Sequence, residues 1–378
     1  MDLALNETQT MIQEVAADFV GRELSPTRVR EIDESETGFA ADLWRQMGDL
    51  GWPGMAIPEE FGGTGNSFTD LGVLHEVLGG AACSSPLLSS GLLSASAILE
   101  AGDAAQRQAL LPSMARGELI VAFAFTEPDY GWGPEAVQLG ASRRDGGYVL
   151  RGVKLFVPDA HVADQLIVLA RTSDGGAPEQ GLSMFLVDRG VPGLSVRLQS
   201  GWIGDKVCEV TLDGVQVPAS GLLGAVDDAW PPVERTLDRA TAVLCASMLG
   251  GAQRVLDMAV EYGKSRIAFG VPIGTFQRVQ DRIIEALNAA EAIRWTTYEA
   301  LWKLDEGREG TPVAVSTAKA VASVEFPRAC DASHHVHAGI GTDLNFGLAH
   351  HTKRARTFQH YLGDATHHKR RLAKLLKL

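Results

Sequence analysis

The chain has 378 residues, of which 45% are hydrophobic, and its mean hydropathy is +0.01. A chain of this length and composition can bury a large core and is expected to divide into two or three domains. Its 34 basic and 47 acidic residues give a net charge of −13, which argues against nonspecific binding to nucleic acids or to anionic membranes.

The cysteines and the first residues bear on cell compartment and metal binding. Cys83, Cys208, Cys245 and Cys330 are widely spaced and form no CxxC pair, so the sequence indicates neither a disulfide framework nor a zinc site. The chain begins MDLALNE, without a basic or apolar leader, and no uncharged run approaches the roughly 20 residues of a membrane helix. We therefore expect a soluble cytoplasmic protein.

The first 120 residues are predicted to be helical. Asn6 can cap a helix whose apolar residues recur at helical spacing as far as Val20. Further helices are predicted over residues 41–50 and 70–78, the second ending before two glycines. The glycine-rich stretch 58–65 is predicted to be a loop, because no strand precedes it and no Lys-Ser/Thr pair follows it.

The pattern changes between residues 121 and 225, where short apolar runs alternate with turn residues. Glycine, aspartate and proline bound these runs, which is typical of an all-β module. The predicted strands are 121–125, 148–150, 166–170, 184–187 and 207–212.

From residue 226 onward the helical period returns. Amphipathic helices are predicted over 234–264, 277–304 and 312–338 and should pack as a bundle. The chain therefore reads as an α+β protein with a helical domain at 1–120, a β domain at 121–225 and a helical bundle at 226–378. A structure with a doubly wound parallel sheet would contradict this prediction.

The segment from Lys264 to Gln277, KSRIAFGVPIGTFQ, joins two of the predicted helices. It closely resembles the R-x-x-F-G-x-x-I-x-x-F-Q signature of the acyl-CoA dehydrogenase flavoproteins. In that family the arginine and the glutamine reach across a subunit boundary to the pyrophosphate of FAD, a role that suits a forked guanidinium and an amide. The resemblance implies that Arg266, Phe269 and Gln277 belong to an FAD site.

The resemblance extends over essentially the whole chain. It implies an N-terminal helical domain, a middle antiparallel β domain and a C-terminal four-helix bundle, with FAD between the β domain and the bundle. It also implies an oligomer, an acyl-CoA substrate and an electron-transfer flavoprotein as electron acceptor.

Three further segments resemble motifs that hold the flavin. FTEPDYGWG, 125–133, is similar to the T-E-P-x-x-G-S-D loop; Thr126 and Gly131 match, whereas Trp132 and Gly133 replace the Ser-Asp pair. KLFVPD, 154–159, is similar to K-x-W-I-T-N; Phe156 keeps an aromatic face for the isoalloxazine, and Pro158 removes both a hydroxyl and a backbone N–H near flavin N5.

The third segment, HVHAGIG, is similar to the Q-x-x-G-G-x-G turn. His335 replaces the glutamine, Ala338 replaces the first glycine, and Gly339 matches. A methyl group at Ala338 would crowd a close approach of backbone to cofactor.

The family's proton-abstracting glutamate has no recognised counterpart. General-base catalysis is typically worth about 100- to 10,000-fold in rate. Leu362, in Tyr-Leu-Gly-Asp, and Ala240, early in the first bundle helix, occupy the two positions where family members carry this glutamate. Asp238 and Asp364 are weak candidates, explained more simply as a solvated helix charge and a helix cap.

Eight of the ten histidines lie at or after His334. Adjacent His-His pairs point to different helix faces, and no i,i+4 pair has a carboxylate at a characteristic spacing, so no metal site is predicted.

Four functions stay open at this point. The chain resembles an actinobacterial branch in Leu-Gly-Asp-Ala, 362–365, and some members of that branch are base-lacking partners in two-chain dehydrogenases, including steroid-CoA enzymes. The first function is therefore a subunit whose base comes from a homologous partner. The alternatives are a self-sufficient homo-oligomeric dehydrogenase, a flavin monooxygenase on the same fold, and a flavin-free scaffold, which the retained Arg266, Phe269 and Gln277 argue against.

Overall fold

The computed structural model describes residues 4–129, 131–174, 176–199 and 206–378. It confirms the predicted fold class, since a helical part is followed by a β sheet and then by a second helical part. The helices of the first part are α1 Glu7–Glu23, α2 Pro26–Glu34, α3 Ala41–Asp49, α4 Phe68–Gly80, α5 Ala95–Ala101 and α6 Ala104–Ala115.

Local side-chain bonds explain where several of these helices begin. The predicted cap at Asn6 is confirmed, and it forms a reciprocal capping box with Gln9. Matching boxes start α4 at Ser67 and α6 at Asp103. A π-helical stretch, Leu87–Ser94, precedes α5 and was not predicted, because its run of leucines and serines has no clear period.

The middle part is one predominantly antiparallel sheet. Its strands are β1 Val121–Ala124, β2 Gly140–Arg144, β3 Gly147–Pro158, β4 Gln165–Arg171, β5 Leu182–Asp188, β6 Leu194–Gln199, β7 Val207–Pro218 and β8 Leu222–Leu223. They lie in the order β6-β7-β3-β2-β4-β5-β8, and β1 pairs in parallel with β4. The five predicted strands are confirmed; β2, β6 and β8 were missed, because β2 and β6 are rich in polar residues and β8 is only two residues long.

The last part contains long helices and a small hairpin. These elements are α7 Trp230–Ser265, β9 Ile267–Ala268, β10 Val271–Pro272, α8 Gln277–Asp305, α9 Thr311–His337, α10 Leu348–His360 and α11 Ala365–Leu375. The three predicted helices are confirmed, and α7 begins four residues earlier than expected, with prolines in its first turn.

Helix α7 forms the centre of the molecule. Within the described residues it is the one helix long and apolar enough to span a membrane, and 78% of its apolar window is buried in the fold, which is typical of a core helix. Helix α4 packs on it at backbone distance, since a Cβ atom on Gly79 would lie 2.1 Å from the Ser247 carbonyl oxygen.

Candidate active site

A cavity of about 870 Å³ lies where the β sheet meets both helical parts. Its wall includes Thr126 and Trp132 from the loop after β1, Phe156 and Pro158 from the end of β3, and Tyr361 after α10. The fold therefore brings together three segments that are distant in sequence. A volume of this size is in the range of small-molecule sites.

A buried ion pair fixes the loop that carries Thr126. Lys154 Nζ on β3 donates to Glu127 Oε1 at 2.7 Å and to the Phe125 carbonyl at 3.0 Å. The Glu127 carboxylate also accepts the backbone N–H groups of Gln138 and Leu139 at 3.0 Å. Burial lowers the pKa of Lys154 to about 8, although the Glu127 charge opposes that shift. This ion pair was not predicted, although Glu127 lies in the FTEPDYGWG segment and Lys154 in the KLFVPD segment.

Gly131 has a packing role in the same loop. A Cβ atom there would lie 2.6 Å from Ala136 Cβ, so the glycine permits the loop to close on itself. Gly131 is not among the residues that line the cavity.

A β-bulge turns Phe156 toward the cavity. The register between β3 and β7 shifts between Lys154 and Val157, and Phe156 has a φ of +54° with 46% of its surface exposed. A positive φ is uncommon for an aromatic residue and is typical of functional sites. The exposed ring thus presents a flat apolar surface on the cavity wall.

Two buried polar groups in this wall have no hydrogen-bond partner within the described residues. They are the indole N–H of Trp132 and the hydroxyl of Tyr361. The Trp132 ring stacks on Phe125 at 5.2 Å and meets the edge of Tyr361 at 5.8 Å, so both side chains are held in place. An unsatisfied buried donor costs about 1–3 kcal/mol, and a ligand that accepts a hydrogen bond would remove that cost.

The two positions that the sequence predicts to correspond to the family's base carry buried apolar side chains. Leu362 and Ala240 are both buried, and neither is among the residues that line the cavity. Leu362 has a φ of +58°, and its carbonyl oxygen lies 2.9 Å from His368 Nε2. Neither side chain can accept a proton.

The two weak base candidates have other partners. Asp238 is buried, contrary to the expectation of a solvated charge, because Arg371 on α11 donates to its oxygens at 2.5 and 2.9 Å. Asp364 caps α11 by accepting the backbone N–H of His367 at 2.8 Å, as expected. Neither residue lines the cavity.

Among the described residues that line the cavity, the one carboxylate is that of Asp159. Ser89 Oγ, from the π-helical stretch, donates to Asp159 Oδ2, and burial raises the pKa of Asp159. Asp159 is the last residue of the KLFVPD segment, directly after Pro158, but no role was predicted for it from the sequence.

A buried lysine holds the turn that positions Tyr361. Lys319 Nζ donates to the carbonyl oxygens of Phe358 at 2.9 Å and Gly363 at 2.7 Å, as well as to Ser323 Oγ. Burial lowers the pKa of Lys319 to about 8. Sequence periodicity placed Lys319 on a helix but could not identify acceptors about 40 residues away.

Arg266, Phe269 and Gln277 lie on and beside the β9–β10 hairpin. All three are exposed, and Phe269 at the tip is 96% exposed. Phe269 and Gly270 both have positive φ values, as a tight two-residue hairpin turn requires. None of the three lines the cavity. Exposed apolar groups of this kind mark interaction surfaces, and here they are Ile267, Phe269, Val271 and Phe276.

His335 and Gly339 lie at the end of α9, both exposed and both outside the cavity wall. Between them, Ala338 has a φ of +52° and a ψ of −137°. These values fall in a region that L side chains rarely adopt. The turn therefore has a backbone shape that favours glycine, although its residue is alanine.

Two of the carboxy-terminal histidines make hydrogen bonds to their own or a neighbouring helix. His337 Nδ1 lies 2.8 Å from the Ser333 carbonyl and His334 Nε2 lies 2.8 Å from Thr352 Oγ1. No group of three His, Cys, Asp or Glu side chains that could hold a metal ion occurs in the part of the chain that the structure describes.

Comparison with known proteins identifies the class. Residues 6–118 match the acyl-CoA dehydrogenase N-terminal domain, residues 122–215 match the middle domain, and residues 228–377 match the C-terminal domain. The chain therefore belongs to the acyl-CoA dehydrogenase family, and the resemblance drawn from its motifs is confirmed.

Individual relatives cover nearly the whole chain. The probable acyl-CoA dehydrogenase YngJ of Bacillus subtilis is 30% identical over 98% of this chain and 98% of its own length. The ChsE4-ChsE5 complex from Mycobacterium tuberculosis contains a chain that is 28% identical, with a TM-score of 0.90 over 100% of this chain and 99% of that one. An FAD complex of PigA is 27% identical, with a TM-score of 0.92 over 100% of both chains.

The cofactor of this family is FAD, and the cavity of this chain fits it. The exposed face of Phe156 suits a planar heteroaromatic ring, and the unpaired indole N–H of Trp132 can donate to one of its acceptors. The enzyme class is that of an acyl-CoA dehydrogenase, an oxidoreductase.

Proposed function

We propose that this chain is one subunit of a two-chain, FAD-dependent acyl-CoA dehydrogenase, and that a homologous partner supplies the catalytic base. The reaction removes a proton from Cα and a hydride from Cβ of an acyl-CoA thioester, leaving an α,β double bond. Bound FAD would supply the hydride acceptor, and an electron-transfer flavoprotein would take up the electrons. Thr126, Trp132 and Phe156 would hold the ring of the cofactor.

The observation that carries this proposal is the apolar character of both family base positions. An α-proton of a thioester is only weakly acidic, so a carboxylate must be positioned to take it. Leu362 and Ala240 are buried where family members have that carboxylate, while Asp238 is neutralised by Arg371. The likeness to a chain of the ChsE4-ChsE5 complex supports an assembly of two different chains.

The hairpin that carries Arg266 supports the same assembly. We propose that Arg266 and Gln277 bind the pyrophosphate of FAD in a neighbouring subunit, while Phe269 packs against that neighbour. The exposed side chains of the hairpin are consistent with a subunit boundary. His335 and Gly339 are proposed to lie beside the same cofactor.

The test is to purify this chain alone and together with a homologue that has a glutamate at either base position. We expect ferrocenium reduction with acyl-CoA substrates by the pair and little by the chain alone. A matched variant of the homologue, with its glutamate changed to glutamine, should reduce the pair to the activity of the single chain.

Asp159 favours a second candidate function, a self-sufficient dehydrogenase. Its carboxylate lines the cavity, and burial raises its pKa, as is common for carboxyl groups at functional sites. In that case the chain alone would turn over acyl-CoA, and Asp159→Asn would abolish the activity. Full activity of the pair with Asp159→Asn supports the two-chain function instead.

Removal of the Arg266 guanidinium is expected to lower FAD occupancy by at least several-fold. Hydrogen bonds to charged groups contribute about 1.5–3 kcal/mol, and Arg266 is the cation proposed to meet the pyrophosphate. Arg266→Ala is compared with wild type by the flavin-to-protein absorbance ratio after gel filtration at equal protein concentration.

The control for this prediction is Arg143→Ala, which removes another exposed arginine, on β2. That variant should keep the wild-type flavin content. A folded, normally assembled Arg266→Ala protein with full FAD would show that the pyrophosphate is bound elsewhere.

A further inference from the structure

A polar pair lies in the cavity wall where α4 crosses α7. His75 on α4 and Ser247 on α7 both line the cavity, and His75 Nδ1 lies 3.2 Å from Ser247 Oγ. The two helix backbones touch here, since a Cβ atom on Gly250 would lie 1.8 Å from the Glu76 carbonyl oxygen. The pair is therefore held rigidly.

The second imidazole nitrogen of His75 is unpartnered. His75 is only 6% exposed, and its Nε2 makes no hydrogen bond to any residue that the structure describes. Burial lowers the pKa of His75 to about 4, so the ring is neutral at physiological pH. Whichever tautomer Ser247 selects, Nε2 remains available as a donor or as an acceptor.

The pair is separate from the flavin-facing end of the cavity. A narrow recess at that end is lined by Thr126, Trp132, Phe156, Pro158 and Tyr361, together with apolar neighbours, but not by His75 or Ser247. Leu78, Gly79 and Ala82, which follow His75 in the chain and also line the cavity, carry no polar side chain, whereas Arg354 donates to the Ala82 carbonyl at 3.2 Å. At this place in the wall, the pair can fix the position of one polar group of a ligand.

We propose that His75 and Ser247 form a subsite for a hydroxyl group on the acyl part of the substrate, away from the thioester. A hydroxyl is the class that fits, because it can both donate and accept and so pairs with either tautomer of neutral His75. Neither member of the pair carries a positive charge at neutral pH, so the pair itself offers a carboxylate no cation. The subsite rests on the proposed acyl-CoA function and specifies its substrate class.

Calorimetric binding to the purified enzyme tests the subsite without requiring turnover. The probes are hexanoyl-, octanoyl-, decanoyl- and dodecanoyl-CoA, each compared with its ω-hydroxy counterpart. At the length that reaches the pair, the hydroxy compound should bind about fivefold more tightly, as expected for one added hydrogen bond. Neighbouring lengths should show less preference.

His75→Leu should remove this preference and leave binding of the unsubstituted thioester within about twofold of wild type. Ser247→Ala is a second, smaller change that should weaken the preference. His360→Leu, at an exposed position of the same cavity wall, should keep it.

Equal binding of hydroxy and unsubstituted thioesters at every length would overturn the subsite and leave the dehydrogenase function intact. A preference that survives in both His75→Leu and Ser247→Ala would overturn it as well. Absence of binding by every CoA thioester would instead reject the acyl-CoA function together with the subsite.

Discussion

Lys154→Met is expected to lower the free energy of unfolding by about 3–5 kcal/mol, because it leaves the Glu127 carboxylate buried without its cation. The side chains of Lys154 and Glu127 are both almost fully buried, and Lys154 Nζ lies 2.7 Å from Glu127 Oε1. The two backbone N–H groups bound to Glu127 offset only part of the lost charge pairing. Urea unfolding at pH 7, followed by circular dichroism at one protein concentration, measures the change.

Arg151→Met is the matched control on the same strand. Arg151 also meets a carboxylate at 2.7 Å, that of Asp213, but the two side chains are 68% and 81% exposed. Exposed pairs contribute about 0–1 kcal/mol, so this variant should remain close to wild type. Equal losses of unfolding free energy in Lys154→Met and Arg151→Met would show that burial does not determine how strongly the Lys154–Glu127 pair stabilises the fold.

Acidification from pH 7.5 to pH 5 is expected to destabilise the protein by several kcal/mol. Burial lowers the pKa of His75 to about 4 and the pKa values of His351 and His368 to about 3. In the unfolded chain these groups titrate near 6.5. Between pH 6.5 and 4 the unfolded state therefore binds protons that the folded state does not, and the free energy of unfolding falls as the pH falls.

Each of the three histidines contributes roughly 2 kcal/mol of this loss at pH 5, at about 1.36 kcal/mol per pKa unit. Asp159 opposes this loss of stability. Burial raises its pKa, so the folded state binds a proton at Asp159 at a higher pH than the unfolded state does. Urea midpoints across this pH range measure the slope. His351→Leu should reduce the slope of unfolding free energy against pH by about one proton. His335→Gln, at an exposed position, should leave the slope unchanged. An unchanged slope in His351→Leu would contradict the contribution assigned to buried His351.

The sequence by itself determined the order of helices, sheet and helices, the capped start of α1 and the family. These features depend on residues close together in the chain: apolar periods, turn residues, and motifs such as the one from Arg266 to Gln277. The domain boundaries near residues 120 and 225 stay predictions, as do the roles of the cofactor-facing residues.

The tertiary structure decided which polar groups share the cavity. Asp238 was expected to be solvated, but it meets Arg371, 133 residues away. His75 meets Ser247 across 172 residues. Asp159 reaches the cavity because β3 ends at Pro158 beside the π-helical stretch, where Ser89 donates to the Asp159 carboxylate. Local patterns do not encode such pairings, because they arise from the way whole helices and strands pack, so the composition of the site emerged only with the fold.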